Sequence, residues 1–144
     1  AAVALGATAA QQRGVDTGPA LGAGPAIGRG PNVHPVLFAR LVAAARDAEI
    51  AHQVEALPAL APSEASVLQI AGRGVPTASV AVPVRYGGTA VEVVAAADAG
   101  RAARLAAAFA ATFDGAAAAA LRPSLPGAPS VAPGAAPLPA AADR

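Results

Sequence analysis

Few side chains in this sequence carry groups that could take part in catalysis or bind a metal ion. His34 precedes a proline at a predicted helix start, and His52 lies three residues before Glu55. A catalytic metal centre needs about three protein ligands held in a fixed geometry. His34 has no second His or carboxylate at helical spacing, and His52 and Glu55 would lie on opposite faces of a strand. A structural role is therefore favoured for His34, and a solvated surface pair for His52 and Glu55.

Two acidic residues beside turns are further candidates. Asp16 has glutamines and an arginine as its near neighbours, which indicates an exposed turn more than a metal site. Glu64 follows Ser63 at the predicted start of a short helix. A hydroxyl and a carboxylate at that place accept hydrogen bonds from free backbone N–H groups, and this role is favoured. Contact with a substrate is the alternative for Ser63 and Glu64.

The composition excludes other kinds of site. The 144 residues include no Cys, so the chain has no disulfide, thiolate zinc site or cysteine nucleophile. The net charge is +1 and the ten basic residues, all Arg, are scattered, so we expect no nucleic-acid surface. The glycine-rich run at 22–30 lacks the lysine and spacing of a phosphate-binding loop. We expect no transmembrane helix and, without a leader pattern, a cytoplasmic protein.

Alternating strands and helices must position these groups. Apolar runs predict strands at 1–5 and 75–83, and a weaker alternation predicts a third at 52–57. Apolar residues at three- and four-residue steps predict helices at 34–49 and 96–113. This order favours an α/β fold with three layers, in which helices flank a mostly parallel sheet.

Local signals refine the connections. Asn32 is the expected N-cap of the first long helix, with Pro35 in its first turn, and residues 28–32 are expected to form a turn. A short helix is predicted from Ser63 to Gly72, with an inward face made of Val67, Leu68 and Ile70.

The loop after the strand predicted at 75–83 lies where an α/β enzyme would place its chemistry. Its sequence at 85–92 is RYGGTAVE, which contains no His, Cys, Asp or Lys. Arg85 and Tyr86 either line the rim of a pocket or anchor the loop. The side chains here offer little for metal binding or acid–base catalysis.

Several phrases occur in the same order as in one enzyme family. Residues 20–27 (ALGAGPAI) and 29–35 (RGPNVHP) resemble the LGKGPVI and RGPNLHP segments of the M42 metallo-aminopeptidases. Residues 74–78, 82–86 and 91–94 resemble that family's GIPTA, IPLRYMHSP and VEVV segments, and residues 62–65 (PSEA) fall at its GTDA turn. The resemblance covers about residues 1–113 and implies part of a phosphorylase/hydrolase-like aminopeptidase domain.

The resemblance also implies a site that this sequence does not retain. The family holds two divalent metals, zinc or cobalt, on His, Asp and Glu ligands, with a nearby Glu as general base. Two ligand positions fall at Ala4 and Gly88, neither of which has a donor atom. The resemblance implies that the remaining ligands and the base belong to an upstream half of the domain, which is expected to lie outside these 144 residues. We therefore expect no catalytic residue and no metal in this chain alone, and substrate-pocket remnants at Ser63, Glu64, Arg85 and Tyr86.

Three functions remain open. The favoured one is a fragment or degenerate homologue of an M42 aminopeptidase that is inactive alone, a pseudoenzyme. The second is a subunit of a split peptidase, completed by a partner chain and acting on peptides only then. The third is a noncatalytic interaction or structural module, which includes assembly with copies of itself through an apolar sheet edge.

The domain organisation is expected to be simple. Residues 1–114 are expected to form the partial peptidase-like α/β domain. Residues 115–144 are rich in Ala, Pro and Gly, and we expect a disordered tail there. The start of the sequence in an apolar, strand-like run suggests a fragment, a processed product or a truncated reading frame.

Overall fold

Strand β4 (Thr77–Arg85) is the central strand of the sheet. It pairs in parallel with β1 (Ala2–Ala9) over eight residues of each strand, from the Ala2–Thr77 pair to the Ala9–Val84 pair. Its other edge carries two short antiparallel partners, β2 (Ala26–Arg29) and β5 (Val93–Val94). The computed structural model describes residues 1–11, 18–58, 64–72, 74–119 and 121. In it, β4 has the mainly apolar sequence expected of a covered strand.

The sheet is mixed and mostly parallel, as predicted. β2 pairs in parallel with β3 (Gln53–Ala56), and the strand order is β1-β4-β2-β3, with β5 beside β4. The two longest pairings are parallel, whereas the two antiparallel pairings each join only two residues of β4. The predicted α/β class with flanking helices is confirmed.

Two long helices cover one face of the sheet. Helix α1 (Pro35–Asp47) and helix α3 (Ala96–Ala111) pack against each other and against β4. Their predicted apolar stripes are buried at Leu37 and Leu41 in α1 and at Leu105 and Phe109 in α3. The buried core consists of Ile27, Val33, Leu37, Leu41, Ala44, Ala45, Ile50, Ala78, Val80, Ala102, Leu105, Phe109 and Leu121.

Helix α1 begins differently from the expectation, and it ends in a backbone capping motif. Its N-cap is His34, with no side-chain hydrogen bond to the helix, so the prediction of Asn32 as N-cap was wrong. The Asn32 side chain instead accepts a hydrogen bond from Gln69 Nε2 at 3.2 Å. At the other end, Glu49 takes a left-handed φ of 52°, and the Ile50 N–H donates to the Ala45 carbonyl at 2.8 Å. This pattern is a Schellman motif, in which glycine is the usual residue at the left-handed position.

The turn predicted at 28–32 was wrong in its first half, because Gly28 and Arg29 belong to strand β2. A Cβ atom at Gly28 would collide with the Ser79 hydroxyl and with the Leu57 side chain. Glycine is therefore required there by close packing between strands, and not by a change of chain direction.

Helix α2 (Glu64–Gln69) does not present its large apolar residues to the core. Val67 is 68% exposed and Ile70 is 75% exposed, so the predicted inward face was wrong. The buried residue of α2 is Ala65, outside the core formed with α1 and α3. Since α2 contacts β1 and β4, it covers part of the opposite face of the sheet. Because this helix has only six residues and buries Ala65, its larger apolar side chains remain exposed to solvent.

A fourth helix lies inside the region predicted as a tail. Helix α4 (Gly115–Ala119) is preceded by Asp114, whose carboxylate accepts a hydrogen bond from the Ala117 N–H at 2.7 Å. Leu121, two residues after α4, is buried in the core. Ordered structure therefore continues past residue 114, and the rest of the predicted tail, 122–144, lies outside the described residues. Within the described ranges, no helix is both long and apolar enough to span a bilayer.

Candidate functional site

The strand-end loop (residues 86–92) follows β4 and is the candidate site from sequence. It is a compact turn closed by its own hydrogen bonds. The Thr89 hydroxyl lies 2.7 Å from the Tyr86 carbonyl and 2.9 Å from the Val91 carbonyl. The Gly88 N–H donates to Glu92 Oε1 at 2.7 Å. The Glu92 carboxylate therefore stabilises the loop by accepting a hydrogen bond from the loop backbone.

Arg85 and Tyr86 lie next to each other on the surface at this loop. Tyr86 is 57% exposed and has a left-handed φ of 59°, which is uncommon for a residue with a side chain. Glu64 is also exposed, at the start of α2. Among the described residues, no hydrogen bond or ion pair joins Glu64 to Arg85 or Tyr86. Ser63 and Asp16 lie outside the described residues.

The two positions expected for metal ligands lie at different levels along the sheet. Ala4 pairs with Ser79 in the register of β1 and β4, and β4 continues for six more residues to Arg85 before Gly88 is reached. At about 3.3 Å per strand residue, Ala4 and the end of β4 are separated by roughly 20 Å. The β1 residue beside the carboxyl end of β4 is Ala9, which pairs with Val84. Ala4 therefore lies well back along β1 from the strand-end loop that contains Gly88.

The local environment at Gly88 is open but chemically empty. Its φ is +78°, and a Cβ atom added there would meet nothing within 4 Å. The described residues contain no group of three or more His, Asp or Glu side chains that could hold a metal ion. The donor groups that remain near the loop, Tyr86 and Glu92, do not form a ligand set.

The histidines have structural environments. His34 caps α1, and its backbone N–H donates to the Thr77 carbonyl at 2.8 Å, which ties the helix start to β4. Its Nδ1 atom is buried without a hydrogen-bond partner in the part of the chain that is described. The His52 Nδ1–H group donates to the Ile50 carbonyl at 3.0 Å. Glu55 does not form a solvated pair with His52, because it is half-buried and accepts a hydrogen bond from the Thr8 hydroxyl at 2.6 Å.

Asp98 is a buried, hydrogen-bonded carboxylate that the sequence pattern did not predict. It lies in the first turn of α3, is fully buried, and accepts hydrogen bonds from the N–H groups of Gly22 and Gly24 at 2.7 and 2.9 Å. Arg101 forms an ion pair with it at 3.0 Å and also donates to the Gly22 carbonyl. The only available signal was an acidic residue in the first turn of an alanine-rich helix.

This cluster explains the glycine-rich motif at 20–27. Gly24 has a φ of +105°, and a Cβ atom there would collide with the backbone of Ala51. On the neighbouring side, the Gln53 side chain donates to the carbonyls of Ala20 and Gly24 and accepts from the Ala20 N–H. The motif therefore positions a loop against α3 and β3, and its contacts are structural.

Two concave surfaces lie away from the strand-end loop. The larger, of about 530 Å³, is at the amino end of β4, between the start of α1 and the end of α2. The second, of about 410 Å³, lies between β1 and α3 and is lined by Ala1, Ala2, Val3, Leu5, Ala106, Phe109, Ala110 and Phe113. The second surface has no polar side chain in its lining, so it suits apolar contacts and not chemistry.

Comparison with known proteins gives a consistent assignment. The sequence profile of the M42 glutamyl aminopeptidase family matches residues 1–105. Among solved structures, an aminopeptidase from the archaeon Desulfurococcus kamchatkensis is 27% identical, with a TM-score of 0.73, over 84% of this chain. A TET aminopeptidase from a marine sediment archaeon of the Thaumarchaeota is 17% identical, with a TM-score of 0.77, over 83% of this chain. No curated protein sequence matches the chain.

These matches cover most of the present chain but only part of each solved structure. The matched region is 36% of the Desulfurococcus chain and 35% of the Thaumarchaeota chain. The present chain thus spans about a third of the length of the solved structures that it resembles.

Proposed function

Because the chain belongs to the M42 glutamyl aminopeptidase family, we propose that it is a piece of an M42-type peptidase domain that does not hydrolyse peptides by itself. The observation that supports this most directly is that neither expected family ligand position, Ala4 or Gly88, carries a donor atom. The chain contributes part of the sheet and its helices, and not the reacting groups.

The two divalent metals that the family relation implies do not fit the residues at hand. A hydrolytic metal site needs about three protein ligands per ion with an open position for water. The described residues bring no such group together, and Glu92 is already bonded to a backbone N–H. Arg85, Tyr86, Ser63 and Glu64 would then be remnants of a substrate pocket, with no reaction step assigned to them.

The test is an assay of the full chain with chromogenic amino-acid substrates in the presence of Zn²⁺ or Co²⁺. We expect no turnover and no stoichiometric metal by elemental analysis. The Desulfurococcus aminopeptidase, assayed in parallel, is the positive control, and far-UV circular dichroism establishes that the chain is folded. Stoichiometric zinc or cobalt in the purified chain, or metal-dependent turnover, would refute the proposal.

A second function is favoured by the coverage of the matches. A chain that spans about a third of its structural relatives can serve as one part of a peptidase whose other part supplies the ligands. Co-expression with a polypeptide that carries the upstream His, Asp and Glu-Glu residues should yield activity that neither part has alone. A stable but inactive complex would instead favour a noncatalytic interaction module.

A further inference from the structure

Strand β1 has one paired edge and one free edge. The N–H of Ala2 donates to the Pro76 carbonyl and that of Ala10 to the Val84 carbonyl, both at 2.9 Å. Since pairing groups alternate along a strand, the even-numbered residues face β4, while Val3, Leu5 and Ala7 direct their N–H and C=O groups away from it. β1 is the last strand of the described sheet on this side. The described part of the chain therefore leaves a row of backbone donors and acceptors unpaired.

The sequence of this strand contains none of the features that protect free edges. Natural edge strands are short, charged, bulged or interrupted by proline. β1 is eight residues long, AVALGATA, with no charge and no proline, and its register with β4 is continuous. Leu5 is 54% exposed. Such a strand has the features of an interior position in a larger sheet.

An apolar cavity continues this edge on the helix side. Its volume of about 410 Å³ is bounded by Val3 and Leu5 on β1 and by Phe109 and Phe113 on α3. The two phenyl rings lie 5.4 Å apart between centroids, with Phe113 only partly buried. Large apolar side chains on a strand added next to β1 would fill this space. On the other face of β1, the small residues Ala4 and Gly6 offer little apolar surface for a neighbouring strand to cover.

The sequence of residues 122–144 is unsuited to supply such a strand. Prolines at 123, 126, 129, 133, 137 and 139 leave no proline-free segment longer than five residues between 122 and 144, and proline cannot donate to a ladder. A second copy of β1 would bring mainly Ala and Gly, which leave the cavity unfilled. The structural relatives, in contrast, carry about twice as much further chain outside the matched region.

We propose that the free edge of β1 is the docking site for a β-strand from the part of an M42-type domain that lies outside the region matched by this chain. The incoming strand has Val, Leu or Phe at alternate positions that enter the cavity beside α3, and its backbone pairs with Val3, Leu5 and Ala7. This inference rests on the proposed function only in taking the chain as one part of a larger domain. Recognition by strand addition combines backbone hydrogen bonds with pockets for alternate side chains.

The test uses the full chain and a synthetic nine-residue peptide that alternates threonine with valine and leucine, with lysine at both ends. Residue-resolved amide hydrogen exchange by NMR is the measurement. We expect the peptide to protect the outward amides of Val3, Leu5 and Ala7 at least tenfold. The amides of Ala4 and Gly6, already bonded to β4, should change little. The same peptide methylated on its central backbone nitrogens should not bind.

Two variants provide the matched comparison. Ala7→Pro removes an outward N–H and keeps the ladder to β4, because Ala7 does not donate to β4; it should weaken peptide binding about tenfold or more. Val67→Ser removes an exposed apolar side chain on α2 without changing the β1 backbone, and it should bind like the parent chain. Equal loss in both variants, or protection at α2 in place of β1, would overturn the proposal.

Two further outcomes also count against it. If the outward amides of β1 are protected in the free chain and lose protection on dilution, a second copy occupies the edge. If these amides are protected in the free chain at every concentration, another part of the same chain occupies the β1 edge. Peptide binding is measured without metal or substrate, so its result is independent of the activity assay. A failure to bind refutes the docking site even if the chain is inactive, and binding supports the docking site even if the chain proves to be a peptidase.

Discussion

At the scale of single residues, the strongest polar interactions hold loops in place. The buried Asp98 carboxylate joins α3 to the 20–24 loop through two backbone N–H groups and Arg101. A buried charge is tolerated when it is hydrogen-bonded and paired, and removal of the acceptor leaves the donors unsatisfied. Gly24 serves the same loop, because its close approach to the backbone of Ala51 leaves no room for a side chain.

Substitution Asp98→Ala should lower the free energy of unfolding by about 3 kcal/mol, because two buried N–H groups and Arg101 lose their acceptor. Urea unfolding followed by circular dichroism measures the change. Asp47→Ala, which removes an exposed carboxylate at the end of α1, is the control and should stay within about 0.5 kcal/mol of the parent. A similar loss in both variants would contradict the buried clamp.

Substitutions at Gly22 and Gly24 distinguish the cost of backbone strain from the cost of steric collision. Both have a positive φ, but only Gly24 faces the backbone of Ala51, whereas Gly22 has open space. Gly22→Ala should cost about 1–2 kcal/mol for the left-handed conformation alone. Gly24→Ala should cost distinctly more or abolish folding, because backbone atoms cannot move aside cheaply. Thermal melting of the two variants side by side tests the order, which would be disproved by equal melting temperatures.

At the scale of elements, helix ends and short helices depend on local details. Helix α1 ends in a Schellman motif with a glutamate at its left-handed position. Helix α4 begins with an aspartate that caps it well and ends close to Leu121, which fills the core. Elements that the periodicity did not indicate therefore still contribute to the packed structure.

Replacement of Glu49 by glycine should stabilise the chain by about 0.5–1 kcal/mol, since glycine adopts the left-handed conformation without strain but has more freedom when unfolded. Glu49→Ala keeps the strain and removes the charge, so it is the control and should give no gain. Denaturant midpoints of the three proteins distinguish the backbone effect from the charge effect. A gain in the alanine variant equal to that in the glycine variant would assign the effect to charge.

Leu121 tests whether the structure beyond residue 114 belongs to the domain. Leu121→Ala should lower the free energy of unfolding by about 3 kcal/mol, as expected for a buried leucine whose cavity cannot collapse. Leu68→Ala, at a partly exposed position of α2, should cost about 1 kcal/mol or less. If the two substitutions cost the same, Leu121 does not pack in the core and the domain ends where the sequence suggested.

At the scale of the whole molecule, the long elements were predictable and the short ones were not. The periodic stripes of α1 and α3 and the apolar run of β4 each contain enough residues for a pattern to be read. Strand β2 has four residues, one of them Gly28, and it forms because β3 and β4 pair with its two edges. The exposed face of α2 could not be foreseen, because a sequence pattern does not say whether a covering layer exists.

The site was only partly predictable for the same reason. The lack of ligands in the strand-end loop is visible in the sequence, and the exposure of Tyr86 and the role of Glu92 are not. The distance between Ala4 and Gly88 depends on the register of β1 against β4. Asp98 escaped notice because its partners are more than seventy residues away in the chain.

The register makes a prediction about restored ligands. The double substitution Ala4→Asp with Gly88→His should not create a zinc site, because residue 4 lies six strand residues, roughly 20 Å, back from the end of β4, where the loop with residue 88 begins. Titration of the folded variant with Zn²⁺ should show no binding beyond that of either single variant. Tight binding of one zinc ion that needs both substitutions would mean that the register in solution differs.

The distance along the chain between β1 and β4 also has a consequence in time. Ala2 pairs with Thr77, so about 75 further residues must be synthesised before the partner of β1 is made. At roughly 5–20 residues per second, this strand leaves the ribosome roughly 4–15 seconds before it can pair. During that interval the uncharged eight-residue segment of β1 lacks its partner strand β4. The β1–β4 pairing can therefore form only after β2, α1 and β3 have been synthesised, so the longest pairing of the described sheet is completed late.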